Sequence, residues 1–196
     1  MATDAPAWGA WTTHYDSVGQ APNMTRFDDE NGLIVNFGMD RLELDLGAGQ
    51  DVSFAGAIGL SGALEVSIPD EFPLLGSLLI VNGQITKTPG IEATVTCSLG
   101  HTSHSMEWPV DRPGGLKDPP PSDTGDDEAI SDDEIFDRGF SVQCLMLDNR
   151  PGAVGASPFP PVPPVPITVS LQARRRFVDE FAHLTIAGFD VLIVRS

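Results

Sequence analysis

His101, His104 and Glu107 fall three residues apart in GHTSHSMEWP, residue types that bind transition metals. On a helix they would share a face and could hold an ion. Gly100 before them and Pro109 after them argue for strand or loop instead, where the two histidines point to opposite faces. Exposed turn histidines are therefore expected, not ligands. Residues 111–137 are rich in Asp, Pro and Gly and offer the carboxylate oxygens that calcium takes. They lack an Asp-x-Asp-x-Asp-Gly pattern, so a solvated acidic loop without metal is the expectation. Arg174, Arg175 and Arg176 are the basic run of the chain. Either Asp179 and Glu180 neutralise them locally, which is favoured, or they contact an acidic partner. Gly59-Leu60-Ser61-Gly62-Ala63 lacks the last glycine of a serine-hydrolase elbow. No phosphate loop and no Cys–His pairing pattern occurs. The chain is thus read as a non-enzyme, with no catalytic residues, no cofactor-binding residues and no metal ligands.

Two further features carry chemistry. Cys97 and Cys144 sit in EATVTCSL and FSVQCLML, on the strand parity of Val95 and Val142, and are expected as buried thiols in preference to a disulfide. Arg41 to Val52, RLELDLGAGQDV, resembles the first motif of S-adenosylmethionine-dependent methyltransferases. That resemblance implies glycines beside the cofactor and an acidic residue, here Glu65, on its ribose. Gln50–Asp51 departs from the family's usual Thr-Gly, and the glycines at 56, 59 and 62 would each cost a following helix roughly 1 kcal/mol. A Gly-rich turn between two strands is the favoured reading, and the methyltransferase a remote alternative.

The elements that would position these residues are strands. Ile167, Val169 and Leu171 alternate with Thr168, Ser170 and Gln172. Leu184 and Ile186 keep one parity, while Phe189, Val191 and Ile193 take the other, so Ala187–Gly188 must hold a bulge or tight turn. Strands are expected from Leu33 onward, with turns at Gly38–Asp40, Gly47–Gln50 and Pro89–Gly90 and a loop over residues 69–73. Glycines are expected to break VSFAGAIGL, and Asn82–Gly83 is the best hairpin signal. SHSMEW is expected to partner EATVTCSL. Ser131 and Glu134 have capping-box spacing, and Ile130 and Ile135 that of a hydrophobic staple, which predicts one docked helical turn. About ten turn-spaced strands predict an all-β fold: a two-sheet antiparallel sandwich of jelly-roll type with an N-terminal arm and one long acidic loop. Residues 1–30 form the arm and residues 31–196 the sandwich. Within the sandwich, residues 111–137 are the acidic loop and residues 157–166 a stiff Pro-rich connector crossing between sheets. Trp8, Trp11 and Tyr15 of the arm, with Arg174, Arg175 and Arg176, are the candidate partner contacts.

The chain has 196 residues, enough for one core, and 41% of them are hydrophobic. Its formal charge is −17, from 28 acidic and 11 basic residues. Such a surface repels phosphate, which excludes nucleic acid and anionic membranes as partners. No leader of signal-peptide type opens the sequence, and no apolar run reaches membrane length. The closing strands, ITVSLQARRRF with AHLTIAGFDVLIVR, resemble those of β-sandwich proteins in tailed-phage virions. The resemblance implies a head-decoration or minor tail protein, made in the host cytoplasm and placed on the virion surface. It would be a homo-oligomer, with a trimer favoured, bound to a larger assembly such as a capsid shell. A lectin-like β-sandwich that stacks its ligand on Trp8, Trp11 or Trp108 is the competing class.

Overall fold

The computed structural model describes residues 7–8, 12–15, 22–29, 32–47, 53–65, 74–109, 135–147 and 165–195. All secondary structure among them is β. The strands are β1 (Ala7–Trp8), β2 (Thr12–Tyr15), β3 (Asn23–Asp29), β4 (Gly32–Leu46), β5 (Ala55–Glu65) and β6 (Leu74–Lys87). They continue with β7 (Ile91–Leu99), β8 (Thr102–Trp108), β9 (Phe136–Leu147), β10 (Val165–Arg175) and β11 (Ala182–Arg195). They make two antiparallel sheets. The first has the order β1-β5-β10-β7-β8, with β2 also on β5; the second has the order β3-β4-β11-β6-β9.

Strands β4 to β11 alone generate a jelly roll. Their sheets read β4-β11-β6-β9 and β5-β10-β7-β8, and every connection crosses between sheets except the β7–β8 hairpin. This is the expected architecture, and the physical reason lies in the patterning. Strands that alternate on one face need a second sheet to cover that face. In β10, Ile167, Val169, Leu171 and Ala173 point inward. In β7 the inward residues are Ile91, Ala93, Val95, Cys97 and Leu99. They meet Leu79, Val81, Ile85, Val142, Leu184, Val191 and others from the second sheet in one core. Each such aliphatic side chain stabilises the fold by roughly 1.5–3 kcal/mol through its removal from water. The buried side chains of both sheets form one hydrophobic cluster.

The parity change in β11 is a bulge. Pairing with β4 and with β6 shifts between Ile186 and Gly188 on both sides. The expected final pair of strands is therefore one bent strand of 14 residues. Strand β4 changes parity at the same level. Phe37 is inward before it and Leu42 after it, so Gly38–Asp40 is a distortion within a continuous strand and not a turn. Asn82–Gly83 likewise lies inside β6, not in a hairpin. A Cβ on Gly83 would collide with the Thr185 carbonyl and the Phe140 ring. The glycine there serves close approach beside the bulge, and tertiary contact overrides the local turn preference. Strand β5 also runs unbroken through its glycines. Pro89–Gly90 is the expected turn, and β8 is the expected partner of β7.

Three strands precede Leu33, where strands had been expected to begin. β1 and β2 pair with β5, and β3 pairs with β4. The described parts of residues 1–30 are thus edge strands of both sheets. Their short, polar pattern is weak because an edge strand buries little. The acidic loop up to residue 134, the capping box within it and residues 157–164 lie outside the described residues. The connector's ends stand in opposite sheets, β9 in the second and β10 in the first.

Candidate functional site

Arg175, a candidate partner contact by its sequence, is instead an interior residue. It is the last inward residue of β10 and only 2% exposed. Its Nε donates to the Ser53 carbonyl at 2.6 Å, and its Nη1 to the carbonyls of Val178 and Glu180 at 2.8 and 3.0 Å. The guanidinium lies over the Phe54 ring, 5.6 Å from its centroid. The five N–H donors of arginine allow it to gather several carbonyls from one corner of the sandwich. The carbonyls of Ser53, Val178 and Glu180 are thus among its partners. The Glu180 carboxylate instead accepts from the backbone N–H of Arg176 and of Phe177, both at 2.8 Å. Gly47, with φ +81°, closes the corner, because a Cβ there would stand 2.5 Å from Arg175 Nη1. The first glycine of the DLGAG stretch therefore serves packing. The antiparallel neighbours of β4 and β5 leave no parallel α/β unit for a methyltransferase.

Arg176 is exposed and lies 3.6 Å from Glu92. Arg174 points outward from β10. Trp8 pairs through its backbone with Leu64, and Tyr15 with Ile58, while Trp11 lies outside the described residues. Of the three arginines, Arg174 and Arg176 are thus exposed and Arg175 is buried. Trp108 is not a free stacking platform, since its ring packs edge-on against Phe140 at 5.4 Å. His101 sits in the β7–β8 turn, and His104 and Glu107 point to opposite sides of β8, as their spacing implied.

The sequence reading missed the outer face of the second sheet. Register aligns Phe27, Ile34, Leu192, Leu78 and Leu145 in one row across β3, β4, β11, β6 and β9. All point away from the core. Phe27 is 58% exposed, Leu145 54% and Ile34 37%. The row is about 20 Å long at the usual strand spacing. The neighbouring row carries Thr25, Asn36, Asp190, Ile80 and Gln143, with Asn36 donating to Asp190 at 2.7 Å. A signal existed in the sequence. Leu78-Leu79-Ile80 and Val191-Leu192-Ile193 are apolar on both parities, which a half-buried strand does not need.

Beyond the bulge, the same face turns polar. His183 Nδ1 donates to Asp45 Oδ1 at 2.5 Å and lies 3.5 Å from Glu43 Oε1. One ligand atom from each of these residues falls within 4.8 Å of the others, so the three could hold a divalent cation. The outer face of the first sheet is different again. Ser61, Thr168, Ser98 and Ser103 align across β5, β10, β7 and β8. Beside them, Ala55 and Ala57 leave a shallow hollow of about 410 Å³ edged by Glu92, Thr94, Gln172 and Arg174. Inside the sandwich, Lys87 is held by the carbonyls of Ile91 and Pro109, at 3.1 and 3.2 Å.

No protein-family model matches the chain, and no curated protein matches it significantly. A solved carbohydrate-binding module in complex with β-1,4-galactotriose is similar to it at 13% identity and a TM-score of 0.30. The match covers 95% of this chain and 88% of that one. A likeness of that size carries no argument about what this chain binds; the jelly roll is assigned from its own strand order.

Proposed function

We propose that the chain is a non-enzymatic structural protein that assembles with further copies of itself on a larger protein particle. The virion reading of the sequence, a capsid decoration or minor tail component, is the concrete form of this proposal. The apolar row on the second sheet is the observation that carries it. An acidic chain keeps five aligned apolar side chains on an outer face, bordered on one side by the hydrogen-bonded Asn36 and Asp190. That is the composition of an interface core and its rim. Light scattering after size exclusion tests it. The wild type is expected as an oligomer, and Phe27→Ser with Leu145→Ser as a folded monomer. A monomeric wild type, or a double variant that still assembles, overturns the proposal.

A second reading, a ligand-binding module, draws on the first sheet's hollow and its hydroxyl row. Arg174, Glu92, Gln172 and Thr94 offer both donors and acceptors, the chemistry that suits a polyhydroxylated ligand such as a glycan. Calorimetry against a glycan panel distinguishes the two readings. Binding lost in Arg174→Ala by a monomeric protein would favour the module.

A further inference from the structure

We propose that Cys97 and Cys144 form a disulfide that staples the two sheets together, and that its redox state is set while the sandwich closes. The observation is positional. Cys97 is an inward residue of β7 in the first sheet, and Cys144 an inward residue of β9 in the second. Both are free thiols here, at 0% and 2% exposure. Their sulfurs are in direct contact at 2.8 Å with no side chain between them, and Cys144 Sγ also donates to the Cys97 carbonyl at 2.9 Å. They are the chain's two cysteines, 47 residues apart in sequence, so an intramolecular disulfide has one connectivity. The inference is independent of the assembly reading.

The chemistry is thiol–disulfide exchange with a small disulfide of the oxidised-glutathione type. One thiolate attacks the reagent's sulfur and releases one glutathione thiol, leaving a mixed disulfide. The second cysteine then attacks the protein sulfur of that mixed disulfide and releases the second glutathione. The Cys97–Cys144 bond forms, two electrons pass to the reagent, and the two protein thiol protons end on the two glutathiones. The attacking species must be a thiolate reached by the reagent. Burial pushes the Cys97 thiol well above its ordinary range, and the neighbouring Cys144 sulfur adds to this. The closed sandwich therefore exposes neither sulfur, and it holds the proton on Cys97. Exchange is fast in the open chain and slow in the folded one, whichever redox state the chain closed in.

The test uses the full wild-type chain, so no variant has to fold. Protein refolded from denaturant with reduced or with oxidised glutathione is acid-quenched, unfolded and treated with N-ethylmaleimide. Intact mass then counts the adducts. Two adducts are expected after reducing refolding, and none, at monomer mass, after oxidising refolding. The crosslinked form is expected to melt roughly 10 °C higher, from the loop it closes in the unfolded chain. Folded reduced protein given oxidised glutathione is expected to lose its adducts at least about tenfold more slowly than the unfolded chain. Two adducts, bound glutathione or chain-to-chain dimers after oxidising refolding would overturn the staple. Equal exchange rates in the folded and unfolded chains would overturn its setting at closure.

Discussion

A single missing methyl group decides how β6 passes the bulge. Gly83 lies where the Phe140 ring and the Thr185 carbonyl press against the backbone. Gly83→Ala is expected to lower unfolding free energy by about 1–3 kcal/mol through overpacking, with the denaturant midpoint as the measurement. Its φ is not left-handed, so the cost is crowding and not backbone strain. Cys97 supplies a pH dependence. Burial raises the pKa of its folded-state thiol above the ordinary value of 9.0. Below that pH both folded and unfolded chains keep the proton, and the contribution to stability is complete. Above it the unfolded chain ionises first, so the reduced protein is expected to lose stability as pH rises. Melting temperature measured from pH 7 to 10 should therefore fall more steeply for reduced protein than for crosslinked protein.

Elements divide into eight that make the jelly roll and three that line its edges. β1 and β2 cover β5, and β3 covers β4. Among the side chains described, those of the core come from β4 to β11. Deleting residues 1–30 is therefore expected to leave a folded sandwich, with sheet-like circular dichroism and a cooperative melt. Assembly should weaken, because β3 supplies Phe27 to the apolar row. A truncation that assembles normally would remove β3 from the interface, and one that unfolds would show that the edges hold the core. Jelly-roll alternation was legible in β7 and β10, where one parity is buried and the other is not. It was misleading at Gly38–Asp40 and Asn82–Gly83. Those segments carry turn chemistry yet lie in strands, because the distortions of β4 and β11 occur at one level and absorb the irregularity together.

At the scale of the molecule, two outer faces of different chemistry flank one hydrophobic core. The formal charge of −17 makes copies of this chain repel one another. Assembly through an apolar row must overcome that repulsion, so added salt is expected to strengthen it by screening. Sedimentation or light scattering between about 50 and 500 mM sodium chloride reads this, across the range where the screening length falls from well above to well below about 10 Å. Assembly that dissolves with salt would point to charge pairing in place of the apolar row.

By itself the sequence determined the fold class, the change of parity at Ala187–Gly188 and the burial of both cysteines. Period-2 alternation is local and survives without any knowledge of partners. The candidate site was less legible. Arg175 looked like a surface cation, and its carbonyl cage is assembled from residues 53, 178 and 180. Ile34, Leu78, Leu145 and Leu192 lie far apart in the chain, and nothing in their spacing joins them. Only the register of four strands places them in one row, as only the packing of two sheets brings Cys97 to Cys144. Patterning fixes which way a side chain faces; what stands beside it depends on strand order and register, which are properties of the folded chain.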